Sequence, residues 1–172
     1  MDRKVVVAGL SETRALVLEH FDAAPRELEK SYGPGKWTVK QILAHLADAE
    51  LVFLWRLVRA ACEPGANVEA YDQDRLAAGL SYSTRPLVFE KDLFQSTRQL
   101  LIHYVEQLPE QSLLQECVHP ERGRVMAIRW AERAIDHTAH HLTQIEAARA
   151  GVPWKAVDRT GSGQYTGRQS QR

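Results

Sequence analysis

Trp130, Ala134, His137, His141, Ile145 and Ala148 step by three or four residues, so on a helix they form one stripe, apolar except for two histidines at its middle. Such a stripe packs inward and commits the chain to a helix lying against other helices with imidazoles in the interface. Side chains four apart point the same way, so His137 and His141 can close on one metal ion. Two histidines are half a site. A second stripe, Thr38, Ile42, His45, Ala49, Val52 and Arg56, can turn His45 toward the same axis. A lone inward histidine is more often a hydrogen-bonded core residue than a ligand. Three of them buried together leave polar groups unsatisfied or carry depressed pKa values at a cost, and a shared metal removes the conflict.

The other segments repeat the helical pattern. Residues 4–23 carry Val6, Leu10, Ala15, Leu18 and Phe21 at roughly helical spacing and stop before Pro25. Thr38 reads as an N-cap, with Gln41 completing a capping box, and that helix runs to about residue 61, before Pro64 and Gly65. Residues 71–78 predict a short helix that breaks at Gly79. Pro86 opens a third long helix through Leu87, Leu93, Phe94, Leu100, Leu101, Tyr104 and Leu108, ended by Pro109. Residues 110–125 form a connection with a turn from His119 to Gly123, and residues 125–149 make the fourth helix. Four long amphipathic helices with almost no strand signal predict an all-α four-helix bundle over residues 1–157, with 158–172 as a disordered tail. The middle crossover, with its short helix, is long enough to permit parallel neighbours.

Charge and composition narrow the function. Basic and acidic residues number 22 each, which argues against the basic face of a nucleic-acid binder. The N-terminal stretch is interrupted by Ser11, Glu12 and Arg14, unlike a signal peptide, and the apolar run 51–61 carries Arg56 and Arg59. A cytoplasmic chain without a membrane partner is expected. Cys62 and Cys117 belong to no C-x-x-C pattern and read as ordinary free thiols.

Three neutral imidazoles suit zinc or nickel, with iron or manganese as further options, and leave a coordination position open as catalytic sites do. Asp48, three residues after His45, is a candidate to orient a ligand or accept a proton, although carboxylates at such positions are usually solvated or paired. Glu50 carries the same two readings with less weight. His140 lies off the inward stripe as an outer or surface residue, or replaces a neighbour if the helix is rotated, and is a second candidate proton acceptor. His119 is the most plausible extra contact. Arg56 either binds an anionic substrate group or snorkels to the bundle end. The tryptophans Trp37, Trp55, Trp130 and Trp154 read as core or interface anchors.

Residues 37–50, with Trp37, Gln41, His45, Asp48 and Glu50, resemble the first motif of the DinB and YfiT-like superfamily, and residues 137–145 resemble its second. The resemblance covers nearly the whole chain. It implies a DinB-type four-helix bundle holding a divalent metal through His45, His137 and His141, and a homodimer. Characterised branches it resembles are thiol-dependent: S-transferases using bacillithiol or mycothiol, and a mycothiol-dependent maleylpyruvate isomerase. Some YfiT-like members carry a further histidine where this chain has Ile145, so the register resembles the simpler H-x-x-x-H-x-x-Q branch. The leading expectation is a metal-dependent S-transferase joining a low-molecular-weight thiol to an electrophile. The alternatives are a metal-dependent hydrolase and a non-catalytic metal-binding or stress-related bundle.

Overall fold

The computed structural model describes residues 2–155, so the tail expected at 158–172 lies outside the described residues. Asp2 caps α1 (Arg3–Phe21) by accepting the Lys4 N–H, and α2 (Pro25–Leu28) is a single turn. Thr38 and Gln41 form the expected capping box at the head of α3 (Val39–Cys62). The crossover contains α4 (Gln73–Gly79), capped by Asp72, and Pro86 precedes α5 (Leu87–Gln107). After the short α6 (Glu110–Leu113) come β1 (Glu116–His119), β2 (Gly123–Met126) and α7 (Ala127–Ala150), which ends at Gly151 in the left-handed conformation.

Two expectations need correcting. The connection before α7 turns between His119 and Gly123 as expected, but its arms are strands of an antiparallel hairpin, Glu116 opposite Met126 and His119 opposite Gly123, rather than loop. Strands of four residues are too short for alternation to stand out in sequence. In α1, Ala15 is exposed and Leu18 only partly buried, whereas Thr13 and Val17 are buried with Val6, Leu10 and Phe21. The Thr13 hydroxyl accepts from Arg98 at 2.7 Å, and this polar anchor sets the phase of the helix.

The long helices form a ring in which α3 and α1 each neighbour α5 and α7. Asp48 and Glu90 share Arg85, and Glu50 pairs with Arg98, so α3 and α5 run parallel. A Cβ added at Gly9 would come within 3.0 Å of the Ile135 side chain, and Arg149 meets His20, so α1 and α7 are parallel as well. Arg3 reaches the Glu106 carbonyl while Asp22 pairs with Lys91, which makes α1 and α5 antiparallel. Parallel α3 and α5 oblige the crossover to travel the length of the bundle.

Apolar packing forms two clusters. One contains Leu10, Phe53, Leu57, Leu101 and Trp130; the other contains Val17, Ile42, Leu46, Phe94 and Ile145. Between them lies a polar waist. Arg98, wholly buried, forks Glu50 at 2.5 and 2.7 Å and also donates to Thr13, Thr138 and the Leu10 carbonyl. Every Arg98 nitrogen has a partner on a different helix, the condition under which a buried charge pair is tolerated. Of the two cysteines, Cys62 is exposed; Cys117 is buried and accepts the Trp130 indole N–H at 3.3 Å. No described helix is long and apolar enough to cross a membrane.

Candidate metal centre

The polar waist continues into the groove between α3 and α7, where the two histidine stripes meet. Because these helices are antiparallel, His45 faces both His137 and His141, with ring centroids 4.9 Å away in each case and 4.6 Å between the latter two. One nitrogen from each ring lies within 4.8 Å of the others, the arrangement of a group able to hold a metal ion. His45 Nε2 and His137 Nε2 are 3.0 Å apart. Two nitrogens each about 2 Å from a common ion would stand at such a separation.

The hydrogen bonds test whether these rings fit an ion. His141 Nδ1 donates to Gln144 Oε1 at 2.7 Å, which sets its tautomer and leaves the Nε2 lone pair for a metal. Nδ1 of His45 and Nδ1 of His137 are buried with no protein partner. Those two rings meet each other through Nε2 alone, and both Nε2 atoms, with a nitrogen of His141, are placed where they could hold one cation. Burial lowers all three pKa values: His45 falls to about 4, with Asp48 partly opposing, and His137 and His141 fall well below the usual range, each further depressed by neighbouring histidines. All three are neutral at neutral pH, the form in which imidazole binds metal.

Aromatic rings line the cluster. Trp37 lies 4.9 Å from the His45 ring and Phe53 lies 5.4 Å from that of His137. Asp48 takes a two-pronged contact from Arg85 at 2.8 and 3.2 Å and the Tyr82 hydroxyl at 2.7 Å, while Arg85 also grips Glu90. Burial, together with the bond to Asp48, raises the Tyr82 phenol, so it stays a donor. This clamp ties the end of the crossover to the helix bearing His45. His140 is exposed at the rim, stacked edge-on against His141 and Trp154, and accepts from Gln144 Nε2 at 3.3 Å.

Other expected contacts go elsewhere. His119 stands apart from the cluster, packed 5.7 Å from the Trp130 ring and accepting the Glu121 N–H, because the hairpin carries it to the head of α7. Arg56 does not snorkel to water; it is buried over Trp130. Sequence reasoning missed Tyr82, Arg85, Arg98 and Thr138. Tyr82 and Arg85 sit in an irregular segment, and Arg98 lies on a helix whose apolar pattern conceals it. Only Gln144 had a visible signal, its place three residues after His141.

Comparison with known proteins gives the same picture. Residues 10–145 match the family model of the DinB superfamily. A protein of Oceanobacillus iheyensis named "Putative metal-dependent hydrolase" is 27% identical over 122 residues, covering 71% of this chain and 70% of its own. One of Bacillus cereus with the same name is 23% identical over 133 residues, covering 77% and 76%. Among solved structures, YfiT from Bacillus subtilis, a four-helix bundle of unusual topology, superposes with a TM-score of 0.78 at 20% identity over 87% of each chain. The mycothiol-dependent maleylpyruvate isomerase does so with a TM-score of 0.70 at 13% identity, over 84% of this chain and 61% of that one. With the family's motifs on α3 and α7 and its bundle around them, the chain belongs to the DinB superfamily.

Proposed function

We propose that this protein is a metal-dependent enzyme that joins a low-molecular-weight thiol to an electrophile, with His45, His137 and His141 as the metal ligands. One observation carries the choice of nucleophile. Asp48, on the helix that bears His45, has both its oxygens taken by Arg85 and Tyr82. So held, Asp48 is not poised to strip a proton from water. A thiol needs far less help, since its ordinary pKa lies only a little above neutral. His45, His137 and His141 would hold the ion, zinc or nickel by ligand type, which when bound would supply a Lewis acid able to lower the pKa of a thiol. Trp37 and Phe53 exclude water from the flanks of the cluster. Gln144 holds His141 in its metal-facing tautomer, and His140 at the rim would have to give up its bond from Gln144 Nε2 to accept the thiol proton. The Asp48–Arg85–Glu90 clamp, with Tyr82, holds the crossover against α3 beside the site.

A second reading, hydrolysis of an ester or amide, is supported by the names of the Oceanobacillus and Bacillus relatives. There Asp48 would have to leave Arg85 to act as base. Incubating metal-loaded protein with a panel of thiols and monochlorobimane, beside a panel of esters and amides, separates the two. Conjugate formation is expected. Ester or amide turnover without conjugation by any thiol would overturn the transfer reading.

A further inference from the structure

The two helices that carry the imidazoles are tied together from a third. Arg98, wholly buried on α5, sends its guanidinium to each of the other long helices. It meets α1 at the Thr13 hydroxyl, 2.7 Å, and the Leu10 carbonyl, 3.1 Å. It meets α3 at both oxygens of Glu50, 2.5 and 2.7 Å, and α7, diagonally across the ring, at the Thr138 hydroxyl, 2.8 Å.

None of these partners is a candidate ligand, yet two of them neighbour the ligands along the chain. Glu50 follows His45 by five residues on α3, which places it about 140° around the helix axis. One side of α3 is thus held to α5 while another presents His45 to α7. Thr138 immediately follows His137 and precedes His141 by three residues, so its bond to Arg98 sets the angle at which both imidazoles leave α7.

The lever favours the anchor. A threonine hydroxyl lies closer to the helix axis than an imidazole Nε2, so a rotation of α7 that breaks the Thr138 contact sweeps His137 and His141 through a larger arc. A set of metal ligands tolerates only about 0.2 Å of error in each distance. Hydrophobic packing rewards burial without specifying direction, whereas a guanidinium fork is directional.

We propose that Arg98 is a positioning residue for the three-histidine site: bonded to Glu50 and Thr138, it fixes the rotation of α3 and α7 and so preorganises His45, His137 and His141 around one ion. The inference rests on the metal reading of those histidines and is independent of whether a thiol or water is the nucleophile.

Cobalt(II) titration of the chelator-treated full chain tests this, with the affinity read by competition against a chromophoric chelator and the geometry by the d–d absorption of the bound ion. Thr138→Val keeps the side-chain shape and leaves Arg98 both bonds to Glu50, so the fold is retained. It is expected to weaken cobalt binding about tenfold and to alter the absorption bands, and Thr138→Ala, which no packing constraint excludes, to do the same. Thr138→Ser restores the hydroxyl and should return both readouts toward native values. Val105→Ala, at a buried position two turns further along α5, is the control: it opens a cavity and lowers stability, but a chain that is still almost wholly folded binds metal with unaltered affinity. Native affinity and spectrum in Thr138→Val and Thr138→Ala, no recovery in Thr138→Ser, or an equal loss in Val105→Ala would overturn the proposal. Absence of cobalt binding by the native protein would overturn the metal reading itself, and the role of Arg98 with it.

Discussion

His45 Nε2 lies 3.0 Å from His137 Nε2, two ring nitrogens brought together across 92 residues of chain. Neither ring has a protein partner for its other nitrogen, so each is held on the protein side through its Nε2 alone. The antiparallel packing of α3 on α7 creates the contact, and the polar waist of the bundle is where it falls.

If three imidazoles share one ion, removing one should release it. Protein purified without an affinity tag is expected to carry about one equivalent of divalent metal, and His45→Ala, His137→Ala and His141→Ala each to lose it. Elemental analysis measures this directly, and full retention by any of the three would remove that residue from the ligand set.

Gln144 acts on the metal only through His141 Nδ1. Gln144→Leu should leave the fold intact while weakening metal affinity about 10–100-fold, the usual effect of losing a partner that orients a ligand. Competition with a chromophoric chelator gives the affinity, and an unchanged value would show that packing alone orients the His141 ring.

Buried neutral histidines make stability depend on pH in a definite direction. The folded pKa of His45 is about 4, below the unfolded value near 6.5. The unfolded chain therefore binds more protons between those values, so stability is complete above the unfolded pKa and falls as the pH drops toward the folded one. For His45 alone the loss between pH 7 and pH 5 is about 2 kcal/mol, and His137 and His141 add to it in the same direction. Urea unfolding of chelator-treated protein at the two pH values measures the difference; equal midpoints would contradict the burial argument.

Arg98 and Glu50 are both wholly buried, so removing one leaves an uncompensated charge in the core. Arg98→Ala is expected to destabilise by about 3–5 kcal/mol, whereas Arg98→Met combined with Glu50→Leu should recover most of that loss. Denaturant unfolding of the single and double variants decides it. A double variant no better than the single would mean that the Thr13 and Thr138 bonds carry the cost instead.

What could be read from the chain was periodic. The stripes through His45, His137 and His141, the Thr38–Gln41 capping box and the Pro and Gly stops are local, repeating at the helical spacing or sitting at a fixed offset from a helix end. They identified the four long helices and the three histidines that now stand together. The hairpin escaped because four-residue strands hold too few alternations, and the phase of α1 was misjudged because Thr13, a polar residue, is the one turned inward.

Tertiary structure alone decided who meets whom. The partners of Asp48 are Tyr82 and Arg85, those of Glu50 and Thr138 converge on Arg98, and Arg56 is buried on Trp130. A carboxylate or guanidinium on a helix carries no mark of its partner, since a solvated charge and a paired one look alike in sequence. Pairing depends on helix direction and register, and those are settled by global packing: parallel α3 and α5, antiparallel α3 and α7, and the long crossover that this topology requires.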